Sequence, residues 1–211
     1  MTTPASNPIG PLGREEYVEQ AYVFATLAER LQENVPTQEA LISLREEVLA
    51  TTKLPMAIDF MLAELRHAGL MSMAMARLPH YFTPLQAYVV QEAEQERGRF
   101  DLRIGLQVLQ CEARYRAGEF EHGGSRTEPT RQGLFLFQFE AISRNRLKYD
   151  RGLEAIAADP AYDDAWRDWV LSLRRKVGFA DMADLIYVHS EHYRRRKGGS
   201  GERNDAQAND Q

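Results

Sequence analysis

Glu64 and His67 stand three residues apart, a Glu-x-x-His spacing. On a helix, positions i and i+3 share a face, so the two side chains could offer neighbouring ligands to a divalent cation, as such pairs do in di-iron carboxylate bundles. Glu92 and Glu96 stand four apart further along the chain. The apolar stripe that begins with Leu85 and Val89 leads to Glu92 or Ala93, then to Glu96, then to Phe100. The stripe thus turns Glu96 toward the core, where a carboxylate is expensive unless a cation accompanies it. Glu64, His67, Glu92 and Glu96 are therefore the candidate metal set, with a divalent metal as the implied cofactor. A complete di-iron site needs a second helical Glu-x-x-His. The other such pair, Glu119 and His122, falls in a glycine-bounded loop. The opposing reading is a solvated stretch, or ion pairs with Arg97 and Arg99.

His189 and His192 form a second candidate, with Asp184 and Glu191 nearby. Arg194, Arg195, Arg196 and Lys197 follow directly, so a solvated helix end favoured by the helix dipole fits equally. The basic run could touch RNA or an anionic surface, but so few charges bind weakly and lose affinity with salt. Arg144, Asn145, Arg146 and Lys148 read as the exposed end of a helix rather than an anion clamp.

A third candidate is made of sulfur. Met56, Met61, Met71, Met73 and Met75 are five of the seven methionines and lie within about 20 residues. Flexible thioethers fill cores, and they also suit surfaces that accommodate varied partners. Met71, Met73 and Met75 alternate, so a helix cannot bury all three on one narrow face. They mark a candidate surface for a partner or an apolar ligand.

The elements that must position these groups read as helices. Tyr17, Ala21, Phe24, Ala28 and Leu31 alternate spacings of four and three, the stripe of one buried helix face. Leu41, Leu44 and Val48 continue the pattern after Pro36. Leu54, Ile58, Met61, Leu65 and Ala68 do so before Gly69, which is placed to stop that helix. Thr83, an N-cap type, and Pro84 open what reads as one long spine helix to Ala117, roughly 50 Å at 1.5 Å per residue. Its middle, residues 91–99, is almost wholly polar, and Gly98 is a possible bend. Residues 133–142 alternate Phe135, Phe137 and Phe139 like a strand, yet Leu134 and Leu136 make the other face apolar too. A buried helix is favoured because no partner strand is visible. Trp166, Val170, Leu173 and Val177 give a later stripe. The expectation is an all-α fold: a single multi-helix, bundle-like domain over residues 14–196 with seven to nine helices. Residues 1–13 read as a disordered arm and residues 197–211 as a disordered tail.

Composition narrows the function classes. Cys111 is alone among 211 residues, which precludes an intramolecular disulfide and a thiolate zinc site. The net charge is −5; residues 194–211 carry about +2, leaving about −7 on the body. An acidic body argues against a nucleic-acid partner. The first residues lack a basic and then apolar secretory pattern, and residues 69–76 are too short to span a bilayer, so a cytoplasmic protein without stable membrane insertion is expected. No GxGxxG, GxxxxGK[ST], GxSxG, HExxH or EF-hand pattern occurs. Chain length, helicity and these carboxylates make the layout loosely similar to the haem-oxygenase-like and ferritin-like bundles, with no motif of either to carry residues over. The leading expectation is a non-catalytic helical protein–protein interaction or adaptor protein that binds a protein partner or itself. The alternative is a metal-dependent, di-iron-type or small-molecule-binding helical bundle, oxidoreductases included.

Overall fold

The 3.6-residue stripes become helices, and the polar breaks between them become caps and turns. A computed structural model describes residues 10–95, 100–122, 125–126 and 128–175. Among these residues nine helices form: α1 Arg14–Gln32, α2 Thr37–Glu47, α3 Leu54–Ala68, α4 Met71–Ala76, α5 Pro84–Ala93, α6 Leu102–Arg116, α7 Arg131–Arg144, α8 Tyr149–Ala157 and α9 Asp164–Leu173. The only other regular structure described is a two-residue antiparallel ladder, β1 Glu121–His122 with β2 Ser125–Arg126, in the glycine-rich loop. The fold is all-α, as expected. No described helix is long and apolar enough to cross a membrane. Two compact units divide after Leu171, inside α9, and the first of them holds α1 to α8. The expected tail, residues 197–211, lies outside the described residues.

Helix α1 buries Tyr17, Ala21, Phe24, Leu27 and Ala28, and its most extensive partner is α6. Leu12, inside the stretch read as an arm, is also buried. Arg14 fixes the start of α1 to the end of α6 by donating from Nε to the Ala117 carbonyl at 3.1 Å. Gly69 ends α3 with φ 71°, and its N–H bonds to the Leu65 carbonyl at 3.0 Å. That left-handed conformation suits glycine because other residues meet their own Cβ there.

The single spine expected over residues 83–117 is divided. Helix α5 stops at Ala93, and α6 begins afresh with Asp101 as its N-cap, the carboxylate accepting from the Arg103 N–H at 2.7 Å. The two helices pack on each other. The physical reason lies in the polar middle: residues 91–99 have no apolar stripe to bury, and an aspartate offers backbone bonds that compete with helix continuation. Thr83 is the N-cap of α5, and with Gln86 it forms a capping box.

Residues 133–142 are helical, within α7. Leu134, Phe135, Gln138, Ala141 and Ile142 are buried while Leu136 is exposed. That is a helix face rather than an alternating strand face. Thr130 caps this helix, its hydroxyl accepting from the Gly133 N–H at 3.1 Å. Gly152 lets α8 approach α7: a Cβ there would stand 2.5 Å from Ile142 Cδ1.

Candidate functional site

Glu64 on α3 is ion-paired with Arg77, just past α4. His67, one turn on, is exposed. Glu92 is the acidic position of α5 that turns inward: it is buried, and it faces Gln95, Lys148 and Arg151 at 2.8, 3.4 and 3.6 Å. Glu64 and Glu92 thus serve different cations. Glu96 lies outside the described residues, as do His189, His192, Asp184, Glu191 and the basic run Arg194, Arg195, Arg196 and Lys197. Among the described residues, no group of three or more His, Cys, Asp or Glu is disposed to hold a metal ion. Arg144 closes α7 and pairs with Glu140 on its own helix.

The strongest concentration of charge was not singled out by the sequence. Arg116, Glu112, Asp159 and Gln138 are each at most 1% exposed. Arg116 Nη2 donates to Glu112 Oε1 at 2.9 Å and to Asp159 Oδ2, while Gln138 Nε2 donates to the same two oxygens at 2.9 and 3.1 Å. The Tyr162 hydroxyl donates to Gln138 Oε1 at 2.8 Å, and the Ala161 N–H to Asp159 Oδ1 at 2.9 Å. Arg116 also lies 5.8 Å from the centre of the Tyr17 ring. Burial works against the charged guanidinium, but Glu112 and Asp159 outweigh it and hold its pKa above the ordinary value. One sequence signal pointed here: Gly105, Leu109, Glu112 and Arg116 follow a four, three, four spacing. Asp159, which precedes Pro160, reads in sequence only as a helix stop. The cluster is closed to water and its charged groups bond to one another, so its chemistry is that of a structural tie between α6, α7 and the turn after α8.

Met71 and Met75 are buried, and so is Met61 on α3. Met73 is 49% exposed and Met56 75%, so the alternation of Met71, Met73 and Met75 divides core from surface. Met73 borders an open cleft of about 380 Å³. One wall is α4, with Ser72, Met73 and Ala76; the floor is α5, with Pro84, Ala87, Tyr88 and Gln91; the other wall is α8, with Arg151, Glu154 and Ala155.

Each wall has its own anchor. The Glu94 carboxylate, just past α5, accepts from the Met71 and Ser72 N–H groups at 2.6 and 3.0 Å and so caps α4. In the floor, buried Gln86 donates to Gln20 Oε1 at 3.2 Å, and Gln20 donates to the Tyr81 carbonyl at 3.0 Å. Opposite, the Tyr88 hydroxyl donates to the Lys148 carbonyl at 3.0 Å, and Arg151 Nη2 to Gln91 Oε1 at 2.8 Å. The Arg151 guanidinium lies 5.9 Å from the Tyr88 ring centre. Because α4 is a six-residue helix that cannot hold itself by propensity alone, Glu94→Ala is expected to lower stability by about 1–2 kcal/mol and Glu94→Gln by less. A Glu94→Ala variant as stable as the wild type in urea would show that the cap does not hold α4.

Comparison with known proteins adds no relative: no family model, no curated protein and no solved structure matches this chain.

Proposed function

We propose that this chain is a non-catalytic helical interaction protein, and that the cleft between α4, α5 and α8 receives a short segment of a protein partner. The observation that carries this is Met73: it is 49% exposed at the rim of the cleft while its neighbours Met71 and Met75 are buried. An unbranched thioether on the lip of a partly apolar cleft can repack around a guest side chain with little strain. The walls are fixed by three separate sets of bonds, so a guest meets a preformed shape, which lowers the ordering cost of binding. Support also comes from the buried cluster around Arg116, whose polar groups are bonded to one another and turned away from any substrate.

The test is site-specific photocrosslinking in the cells that make the protein, with p-benzoylphenylalanine at position 73 or, as a more exposed control, at position 56. A discrete adduct from position 73 is expected. It should be lost when Ala155→Trp fills the cleft and be absent from position 56. Equal adducts from both positions, or none from position 73, would refute the reading.

A further inference from the structure

Two side chains at one end of the cleft have a hydrogen-bonding polarity that their own geometry dictates. Arginine has five N–H donors and no acceptor. Because Arg151 Nη2 bonds to the Gln91 side chain at 2.8 Å, the Gln91 atom facing it must be the oxygen. The Gln91 amide then presents its NH2 group away from Arg151. Arg151 engages this oxygen, Glu92 at 3.6 Å and the face of the Tyr88 ring. Its five donors outnumber these contacts, so guanidinium N–H groups remain to serve a guest. Gln91 and Arg151 both line the cleft. This end of it is therefore a surface of donors.

Charge agrees with this. Lys148 and Arg151 share one buried carboxylate, Glu92, at 3.4 and 3.6 Å. Arg151 stands in the first turn of α8, where the helix dipole also favours an anion. Glu154, one turn along the same wall, also lines the cleft. Glu94 holds the start of α4 beside the end of α5, so Ser72 and Met73 stand across from the donors. Toward the start of α5 the lining is Ala76, Pro79, Phe82, Pro84 and Ala87, with Thr83 among them. Along α5 the order runs Pro84, Ala87, Tyr88, Gln91, so the donors come last.

We propose that the cleft captures the C-terminal carboxylate of a partner polypeptide, held by Arg151 and Gln91, with that chain's last apolar side chains laid toward Met73 and Phe82. Capture of a chain terminus by converging donors is an established mode of peptide recognition. The proposal rests on the reading of the cleft as the recognition site, and it names what the partner presents there.

The experiment uses an array of random hexapeptides ending in Leu, Met, Phe or Val, each synthesised as the free acid and as the C-terminal amide. Binding of the full chain is read by fluorescence anisotropy. The best peptides are expected to bind at least about tenfold tighter as acids than as amides, the size of one charge-assisted bond. Arg151→Gln should erase that preference and leave amide binding in place. Gln91→Glu should do the same while retaining an acceptor for Arg151, so the fold keeps that contact if Arg151→Gln does not fold. Ala155→Trp should remove both forms of binding. Peptides that bind equally as acid and amide overturn the carboxylate proposal and leave the cleft reading standing. Binding that survives Ala155→Trp, or no binding by any peptide, overturns both. Decanoate that raises the melting temperature while no peptide binds assigns the donors to a free acid and likewise overturns the proposal.

Discussion

Replacing Arg116 with methionine is expected to cost about 3–5 kcal/mol of unfolding free energy, the loss typical when one partner of a buried ionic group is removed. A domain of this size is stable by only about 5–15 kcal/mol, so the variant should be close to unfolding at room temperature. The reason is what the substitution leaves behind. Glu112 and Asp159 are fully buried and share this one guanidinium. Glu112 Oε2 already has no hydrogen-bond partner among the described residues. Without Arg116, two carboxylates face each other in a medium that hydrates neither. Changing the carboxylates as well should restore most of the loss, because Glu112→Gln with Asp159→Asn removes both charges and keeps donors and acceptors for Gln138. Urea unfolding followed by helix circular dichroism measures both variants. A loss below about 1 kcal/mol for Arg116→Met, the figure for an exposed pair, would mean that water reaches the cluster.

That cluster also marks where the sequence stops being legible. Stripes of apolar residues showed the helices, because a 3.6-residue period is a local property. Gly69 and Thr83 showed two of their ends, because caps need particular backbone angles and side-chain oxygens at one position. The long spine was misread: Leu85, Val89 and Leu102, Leu106, Leu109 look like one stripe, yet the break depends on Asp101 capping a new helix start and on Glu94 turning back to α4. Both are choices between competing bonds that a stripe does not record.

The site was legible only in part. The stripe led to Glu92 or Ala93 and turned Glu96 inward; Glu96 lies outside the described residues, and Glu92 is the buried one of the first two. What decides its role is Lys148 and Arg151, which stand far along the chain, on and beside α8. Met71, Met73 and Met75 were marked together because their alternation conflicts with burial on one helix face, and of the three only Met73 is exposed while Met71 and Met75 belong to the core. Arg116 looked like an ordinary charge near a helix end. Its partner Asp159 is 43 residues away, and a buried charge is visible only once both ends of the pair are placed.

Alkaline pH should unfold the protein over a narrow range. Burial pushes the Tyr17 phenol up from 10.0 to about 12; nearby Arg116 pulls the other way, while Asp159 and Glu112 add to the rise. Burial likewise raises Tyr81, helped by Glu16 beside it, and Tyr162, helped by Asp159. A phenol whose folded pKa exceeds its unfolded value keeps its proton in the folded state when the unfolded chain has lost it. Its contribution is complete below pH 10 and is lost as pH rises toward the folded value. For Tyr17 that amounts to about 3 kcal/mol by pH 12, at about 1.4 kcal/mol per pH unit. Tyr88 is raised to about 12 as well, by burial and by Glu92 beside it, and four such phenols acting together give a slope of about 5 kcal/mol per pH unit above pH 10. The urea midpoint should therefore collapse between pH 10 and pH 12, with phenolate absorbance at 295 nm rising in step with the loss of helix signal. Tyr17→Phe should flatten the slope by about a quarter, since phenylalanine has no proton to lose. Phenolate absorbance that completes its rise while the helix signal is still intact at pH 12 would show that these hydroxyls ionise in the folded chain, and the linkage to stability would fail.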